Sequence, residues 1–263
     1  MERFKIERVK GRKFSRRQFL KVGLGAIPAA AGLNAWFAEP NWLRITRFDL
    51  NPNPSCRFVQ FSDLHFKGDA DFATEAVATI NRLEPEFVCF TGDLVEEARF
   101  APEALDFIRQ INRPVYGCPG NWDYLSGANF RDYEKAFRAT GGEWLEDQAV
   151  ILPEHQLQLI GIGMRGEHAV PEPQASRRLL LIHYPIQADR LGGHYDLILA
   201  GHSHGGQVRL PFLGALVLPY GVGRYQSGRY DSLGGPLYVN AGLGTHIIPV
   251  RFHCRPELTV VSL

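Results

Sequence analysis

An α/β fold is predicted by two patterns along the chain. From Arg57 to Asn121, short apolar runs that each end in a small polar motif alternate with segments of helical spacing. Beyond Ala149 the apolar runs follow one another with few helices between them. Alternation of the first kind argues for parallel strands joined by right-handed crossovers, with function gathered at the strands' carboxyl ends.

The elements follow in order. Arg57 to Phe61 reads as a strand ending at Ser62-Asp63-Leu64-His65, and Asp71 to Leu83 as a helix, because Phe72, Ala76, Val77 and Ile80 recur at helical spacing. Phe87 to Thr91 is a second strand closing on Gly92-Asp93. Pro102 to Gln110 reads as a helix with proline near its first turn, and Pro114 to Gly117 as a third strand feeding Gly120-Asn121-Trp122-Asp123. Further strands are expected at Ala149 to Leu152, Leu157 to Gly161, Leu179 to His183, Leu197 to Ala200, Gln207 to Leu210, Leu237 to Asn240 and Leu258 to Leu263. Two of them carry motifs, Ile182-His183-Tyr184 and Gly201-His202-Ser203-His204-Gly205-Gly206. The Pro-rich and polar stretch Glu167 to Arg178 reads as a surface loop.

At 263 residues and 45% hydrophobic, the chain suffices for one buried domain of about 200 to 220 residues plus a leader. Its net charge of +1 gives no support for a nucleic-acid partner, and none is expected. Cys56, Cys89, Cys118 and Cys254 have neither Cys-x-x-Cys nor zinc-finger spacing, so they read as small buried hydrophobes, with a disulfide left open.

The amino terminus is distinctive. A basic stretch from Met1 to Lys13 precedes Ser15-Arg16-Arg17-Gln18-Phe19-Leu20-Lys21 and a mild apolar run from Val22 to Leu33. The Arg-Arg-x-Phe-Leu-Lys core resembles a twin-arginine export signal, which implies the export machinery as a partner and a periplasmic or envelope location. The apolar run is shorter than the roughly 20 residues of a spanning helix. Ala29-Ala30-Ala31 offers a cleavage site, while Trp36, Phe37 and Trp42 suit a membrane interface. Cleaved and anchored forms both stay open.

From the five motifs, Asp63, Asp93, Asn121, His65, His183, His202 and His204 make a set of two Asp, one Asn and four His with no thiolate, which suits two adjacent divalent ions, Mn, Fe or Zn. A carboxylate can bridge two ions because it has about four lone-pair sites, whereas Asn offers one neutral carbonyl suited to a terminal position. His202 and His204 would point to opposite sides if extended, so both must lie in a turn, which Gly201, Gly205 and Gly206 allow.

In order and spacing these motifs resemble the calcineurin-like metallophosphoesterase family, and the resemblance covers roughly residues 45 to 263. It implies a four-layer αββα sandwich at 45–263 behind a leader or membrane anchor at 1–38. It also implies that Asp63, His65 and His204 hold one ion, that Asn121, His183 and His202 hold the other, and that Asp93 bridges them. Asp93, Asn121 and His202 are then the catalytic candidates, around two metals about 3.5 to 4 Å apart whose bridging hydroxide attacks phosphorus. His155, His168, His194, His246 and His253 match no ligand position and are assigned to structure or surface, with His246 near the mouth.

Trp122 departs from the family, most members having His there to protonate the leaving oxygen or orient the phosphate. Indole cannot donate a proton at neutral pH. General-acid help typically contributes 10² to 10⁴-fold, but a phosphate leaving group, with a second pKa near 6, departs without it. Trp122 therefore favours an anhydride, an activated ester or a substitute acid elsewhere. The family's UDP-diacylglucosamine pyrophosphate hydrolases also lack this His, having Arg.

The run Leu210-Pro211-Phe212-Leu213-Gly214-Ala215-Leu216-Val217-Leu218-Pro219-Tyr220 is almost wholly apolar. Its ordinary reading is a strand and loop completing the core; beside the metals it would instead bind an acyl chain or dip into a membrane surface. With the ending Cys254-Arg255-Pro256-Glu257-Leu258, it resembles the exported, twin-arginine-dependent phosphodiesterase branch. The expected activity is hydrolysis of a phosphodiester or pyrophosphate in a phosphorylated small molecule or a lipid-linked envelope precursor. A broad phosphomonoesterase or protein phosphatase, and an inactive metal-binding scaffold, are the alternatives.

Overall fold

The computed structural model describes residues 15–51, 54–164 and 171–263. The basic stretch Met1 to Lys13, His168 and part of the expected loop Glu167 to Arg178 lie outside these residues. In chain order come α1 (Arg16–Leu33), β1 (Arg44–Asp49), β2 (Arg57–Phe61), α2 (Ala70–Arg82), β3 (Val88–Phe90), α3 (Ala101–Arg109) and β4 (Val115–Gly117). Then follow α4 (Asn121–Leu125), α5 (Phe130–Ala139), β5 (Glu143–Trp144), β6 (Gln148–Leu152), β7 (Leu157–Gly161), β8 (Arg177–Leu181) and β9 (Leu197–Ala200). The last are β10 (Arg209–Leu210), β11 (Gly214–Ala215), β12 (Gly228–Ser232), β13 (Gly235–Val239) and β14 (Glu257–Ser262).

Two six-stranded sheets stack face to face, ordered β1-β14-β2-β3-β4-β5 and β12-β13-β9-β8-β7-β6. Strands β2 to β5 are mutually parallel, as are β7, β8, β9 and β13. Alternation along each strand assigns the faces. In β2, Val59 and Phe61 join the core under α2, α3 and α5, whereas Phe58 joins Cys89, Tyr116, Leu159, Leu181 and Leu199 between the sheets. Ile160, Leu180, Ile198 and Val239 form a third core on the outer face of the second sheet, with Ala188 and Tyr195. There the fourth layer of the sandwich is a 3₁₀ segment, Pro185–Asp189, rather than a long helix.

Most expected elements appear within two residues of their expected bounds. Gln207 to Leu210 does not form the full strand: Gly206 and Gln207 both take positive φ, so the turn runs on and only Arg209–Leu210 pairs, with Gly214–Ala215. Strands β1, β5 and β12 and helix α5 were not anticipated. Helix α5 is charged on its outer face and buries only Tyr133, Ala136 and Phe137. All four cysteines are free and buried, as the packing reading expects.

Helix α1 runs on through a π turn, Asn34–Ala38, onto the sandwich. Ala35 O accepts from Arg251 N at 3.0 Å and Glu39 Oε1 from Cys254 N at 2.6 Å. Both Ala35 and Glu39 are buried, so the segment before β1 packs on the domain. Among the described residues, no helix is long and apolar enough to cross a membrane.

Candidate metal centre

Each motif begins within three residues of the carboxyl end of a strand, β2, β3, β4, β8 or β9, so all five meet at one edge of the stacked sheets. The chain turns sharply there. Asp63 (φ 51), His65 (φ 44), Asp93 (φ 63), His202 (φ 67) and His204 (φ 49) all adopt the left-handed region, which costs an L-residue of order 1–3 kcal/mol and persists where the surroundings over-determine it. Gly201 has a different role from the expected turn: a Cβ there would collide with Ser62 Oγ and Asp63 Oδ2.

Two groups of ligand atoms result. Asp63 Oδ1 lies 3.5 Å from His204 Nε2 and 4.0 Å from His65 Nε2, and these two ring nitrogens are 3.0 Å apart. In the second group, His183 Nε2 stands 3.1 Å from Asp93 Oδ2, 3.1 Å from Asn121 Oδ1 and 3.2 Å from His202 Nδ1. Asp93 Oδ2 is also 3.5 Å from His65 Nε2, which places it between the groups. All seven residues expected to be ligands are thus brought together, and all but Asn121 are buried.

The donor chemistry fits cations. A carbonyl can only accept, so the proton on each of two imidazoles is assigned to the nitrogen facing one: His183 Nδ1 donates to Thr91 O at 2.7 Å, and His202 Nε2 to Tyr220 O at 2.6 Å. His183 Nε2 and His202 Nδ1 are then bare lone pairs, facing a carboxylate oxygen and an amide oxygen with no donor among them. Only a positive charge stabilises such a cluster. Without metal a proton takes that place: burial opposes charge on His183, yet Asp93 outweighs it and raises the imidazole to about 9. In return, against its own burial, Asp93 is held at about 2 by His183 and His65. Burial depresses His202 to about 3 and His204 well below its usual range.

A second set of residues holds the ligands in place. Asp63 accepts from His202 N with both oxygens at 3.0 Å. Asp123, from the same motif as Asn121, accepts from the backbone amides of Asp93 (2.8 Å), Gly120 (2.8 Å) and Leu94 (2.9 Å) and from Tyr133 Oη (3.1 Å). Burial and the nearby Asp93 push Asp123 up to about 6. Arg251 is fully buried and donates to the carbonyls of Ala241, Gly242, Gly244 and Cys254. It thereby clamps the loop whose Leu243 and Gly244 amides donate to Ser62 O (2.9 Å) and Asp63 O (2.7 Å).

Glu96 escaped the sequence reading, and His246, expected near the mouth but given no role there beyond structure or surface, lies 5.2 Å ring to ring from Trp122 and 5.3 Å from His65. Its Nδ1 is 2.9 Å from Glu96 Oε1, which also meets His65 Nδ1 at 2.9 Å and Lys67 Nζ at 3.0 Å. Partly buried as it is, Glu96 is kept at about 2 by these three cationic or polar neighbours. His65, Glu96 and His246 also converge closely enough for an ion, but Lys67 already supplies positive charge there. The signal for His246 was present: Leu237 to Asn240 is a sixth apolar run that ends in a polar loop. His155, His194 and His253 do fit the expectation, His155 packing on Phe87 and the other two lying exposed.

Trp122 and His246 line a cavity of about 620 Å³ that also takes in Asp93, Asn121, His202 and His204. Much of its remaining lining is apolar, formed by Val208, Leu216, Val217, Pro219, Ile247 and Ile248.

Buried imidazole and carboxylate acceptors that share one oxygen, under an open cavity, are the arrangement of a metal-dependent hydrolase. The profile of the calcineurin-like phosphoesterase family matches residues 56–206, more than half of the chain, and the chain belongs to that family. It is a metallophosphoesterase, a hydrolase. It is 28% identical over 295 residues to the uncharacterized metallophosphoesterase YkuE of Bacillus subtilis (strain 168), covering 96% of this chain and 98% of that one. Similarity to phosphodiesterase YaeI of Escherichia coli (strain K12) is 27% over 270 residues, covering 95% and 99%. With the UDP-2,3-diacylglucosamine pyrophosphatase LpxG of Chlamydia trachomatis it is 26% over 327 residues, covering 92% and 98%.

Proposed function

We propose that this chain hydrolyses a phosphodiester or pyrophosphate bond in a lipid-linked or cell-envelope precursor, with two divalent ions of the Mn, Fe or Zn kind. The observation that carries the reading is the position of Asp93 Oδ2, 3.1 Å from His183 Nε2 and 3.5 Å from His65 Nε2. Asp63, His65 and His204 would hold one ion, Asn121, His183 and His202 the other, with Asp93 common to both. Two such ions, when bound, neutralise charge on the phosphoryl oxygens and acidify water into a nucleophile. The chain's own contribution is to hold these lone pairs in place from behind, through Thr91 O, Tyr220 O and Asp63.

The substrate reading rests on the cavity. Trp122 brings no acid to the leaving oxygen, which favours a leaving group that departs as an anion. The apolar lining of the cavity suits a hydrocarbon part of the substrate. Two relatives, matched over 98% or more of their own length, bear phosphodiesterase and UDP-2,3-diacylglucosamine pyrophosphatase names, which supports the same substrate class here. By its Arg16-Arg17 motif the chain is exported through the twin-arginine route and works in the periplasm or at the envelope membrane.

Purified protein with Mn²⁺ tests the activity against bis-p-nitrophenyl phosphate, p-nitrophenyl phosphate, nucleoside diphosphates and UDP-linked lipids. A preference for diester or anhydride over monoester is expected. A monoester preference would move the reading to a phosphomonoesterase.

A further inference from the structure

The apolar run expected to complete the core does not do so. Phe212 and Leu213 stand wholly or largely in solvent, at 108% and 77% relative exposure, and Val217 is 77% exposed. From a different part of the chain, Ile247 (82%) and Ile248 (48%) come to the same cavity rim as Leu216 and Val217. Such exposure of large side chains at one opening and on the hairpin loop that leads into it, Phe212-Leu213, has a cost in water and marks an interaction surface.

We infer that this two-loop rim seats in the surface of a lipid bilayer and presents the apolar wall of the cavity to a lipid-linked phosphoester. The inference rests on the phosphohydrolase reading only for the identity of what is delivered. Three observations favour a bilayer over a protein partner or a second copy. The exposed side chains sit on short loops, Phe212-Leu213 between β10 and β11 and Ile247-Ile248 beyond β13, with Phe212 and Ile247 both at left-handed φ (68° and 63°). Short apolar loops that stand out from the domain suit a non-directional apolar medium better than a complementary protein face.

The rim is also continuous with the leader. Gln207 Nε2 donates to the carbonyls of Ile248 (3.0 Å) and Val250 (3.1 Å), and the next residue, Arg251, is bonded to Ala35. That segment exposes Trp36 (51%), Phe37 and Trp42, and the Arg255 guanidinium lies 3.9 Å over the Trp42 ring. Tryptophan beside arginine is the composition of a membrane–water boundary. Finally, the chain before Ser15 carries Arg3, Lys5, Arg8, Lys10, Arg12 and Lys13 against Glu2 and Glu7, a charge complementary to anionic headgroups.

The rim is tied to the site as well: Tyr220, which ends the same run, supplies the carbonyl that accepts from His202. A lipid phosphate drawn along Leu216 and Val217 from a seated rim therefore arrives at the ligand cluster.

The test uses the full chain with vesicles of phosphatidylethanolamine and a minority of phosphatidylglycerol. Wild type is expected to float with the vesicles. Phe212→Asn with Leu213→Ser, at two positions that do not line the cavity, is expected to lower the bound fraction at least about tenfold. Its turnover of soluble bis-p-nitrophenyl phosphate should stay within about twofold, because the cavity wall is untouched. Hydrolysis of a UDP-linked lipid held in those vesicles should fall with binding.

Wild type that stays in solution, equal flotation of the variant, or a stable dimer by light scattering that the variant abolishes overturns the docking. Failure of the activity reading looks different, as rim-dependent flotation with no hydrolysis of diester or anhydride.

Discussion

The backbone amide of Trp122 donates to Oδ1 of Asp93 at 2.7 Å, which leaves Oδ2 alone to face both His65 and His183. One oxygen with two lone pairs, and not the two oxygens of the carboxylate, thus lies between the ligand groups. The amide belongs to the peptide and not to the indole, so the side chain at position 122 is free to vary without moving Asp93.

Asp93→Asn removes the charge shared by both groups. Its rate should fall at least about 100-fold while far-UV circular dichroism is unchanged, and His202→Ala should behave alike. Turnover within about threefold of wild type, with metal content measured as unchanged, would take these residues out of the site.

Metal uptake should release protons. Burial alone would keep His183 neutral, but Asp93 raises it to about 9, so the metal-free ring is protonated at neutral pH and an ion on Nε2 must displace that proton. Affinity should therefore weaken as pH falls below about 9, by up to tenfold per pH unit for one displaced proton. Titration calorimetry with Mn²⁺ in two buffers of different ionisation heat measures this. Release of no proton at pH 7 would mean that the ring is already neutral.

Trp122→His restores an acid beside His246. If the site suits leaving groups that need no proton, activity on alkyl phosphodiesters should rise about 10-fold or more, while anhydrides gain little. Binding of a nucleotide-containing substrate should weaken by about 1 kcal/mol through loss of the indole contact. Equal changes in kcat/KM for both substrate classes would leave Trp122 a packing role only.

Asp123→Asn tests the support of the ligand loops. The amide nitrogen would face the amides of Asp93, Leu94 or Gly120, leaving a buried donor opposed to a donor, and stability should drop by roughly 1.5–3 kcal/mol. A urea unfolding midpoint equal to that of wild type would show that the three amides find other acceptors.

Arg16→Lys with Arg17→Lys should hold the protein in the cytoplasm, because the paired guanidinium groups are what the export receptor reads. Cell fractionation decides it, and normal envelope delivery of the double variant would falsify the export reading.

The site was legible because its chemistry lies in short motifs that each close a strand. Asp63, His65, Asp93, Asn121, His183, His202 and His204 stood out by residue type, order and the family resemblance these motifs carry, and the structure gathers them into two adjoining groups. The strands that carry them were legible too, since Leu197 to Ala200 is buried on both faces and apolar throughout, and Leu179 to Leu181 of β8 likewise. Element β1 was not, because Arg44, Thr46, Arg47 and Asp49 dilute its pattern at a sheet edge, where pairing with β14 is what makes it a strand.

Contacts between distant parts of the chain were decided only by the tertiary structure. Glu96 and His246 are 150 residues apart, and no spacing rule joins them; the parallel order β13-β9 in one sheet and β2-β3 in the other sets their loops at the same edge. The fate of Leu210 to Tyr220 was undecidable for the same reason. Apolar composition says that a segment will leave water if it can, but whether a core surface remains for it to cover depends on how completely the sheets already cover one another, and here they leave Phe212 and Leu213 outside.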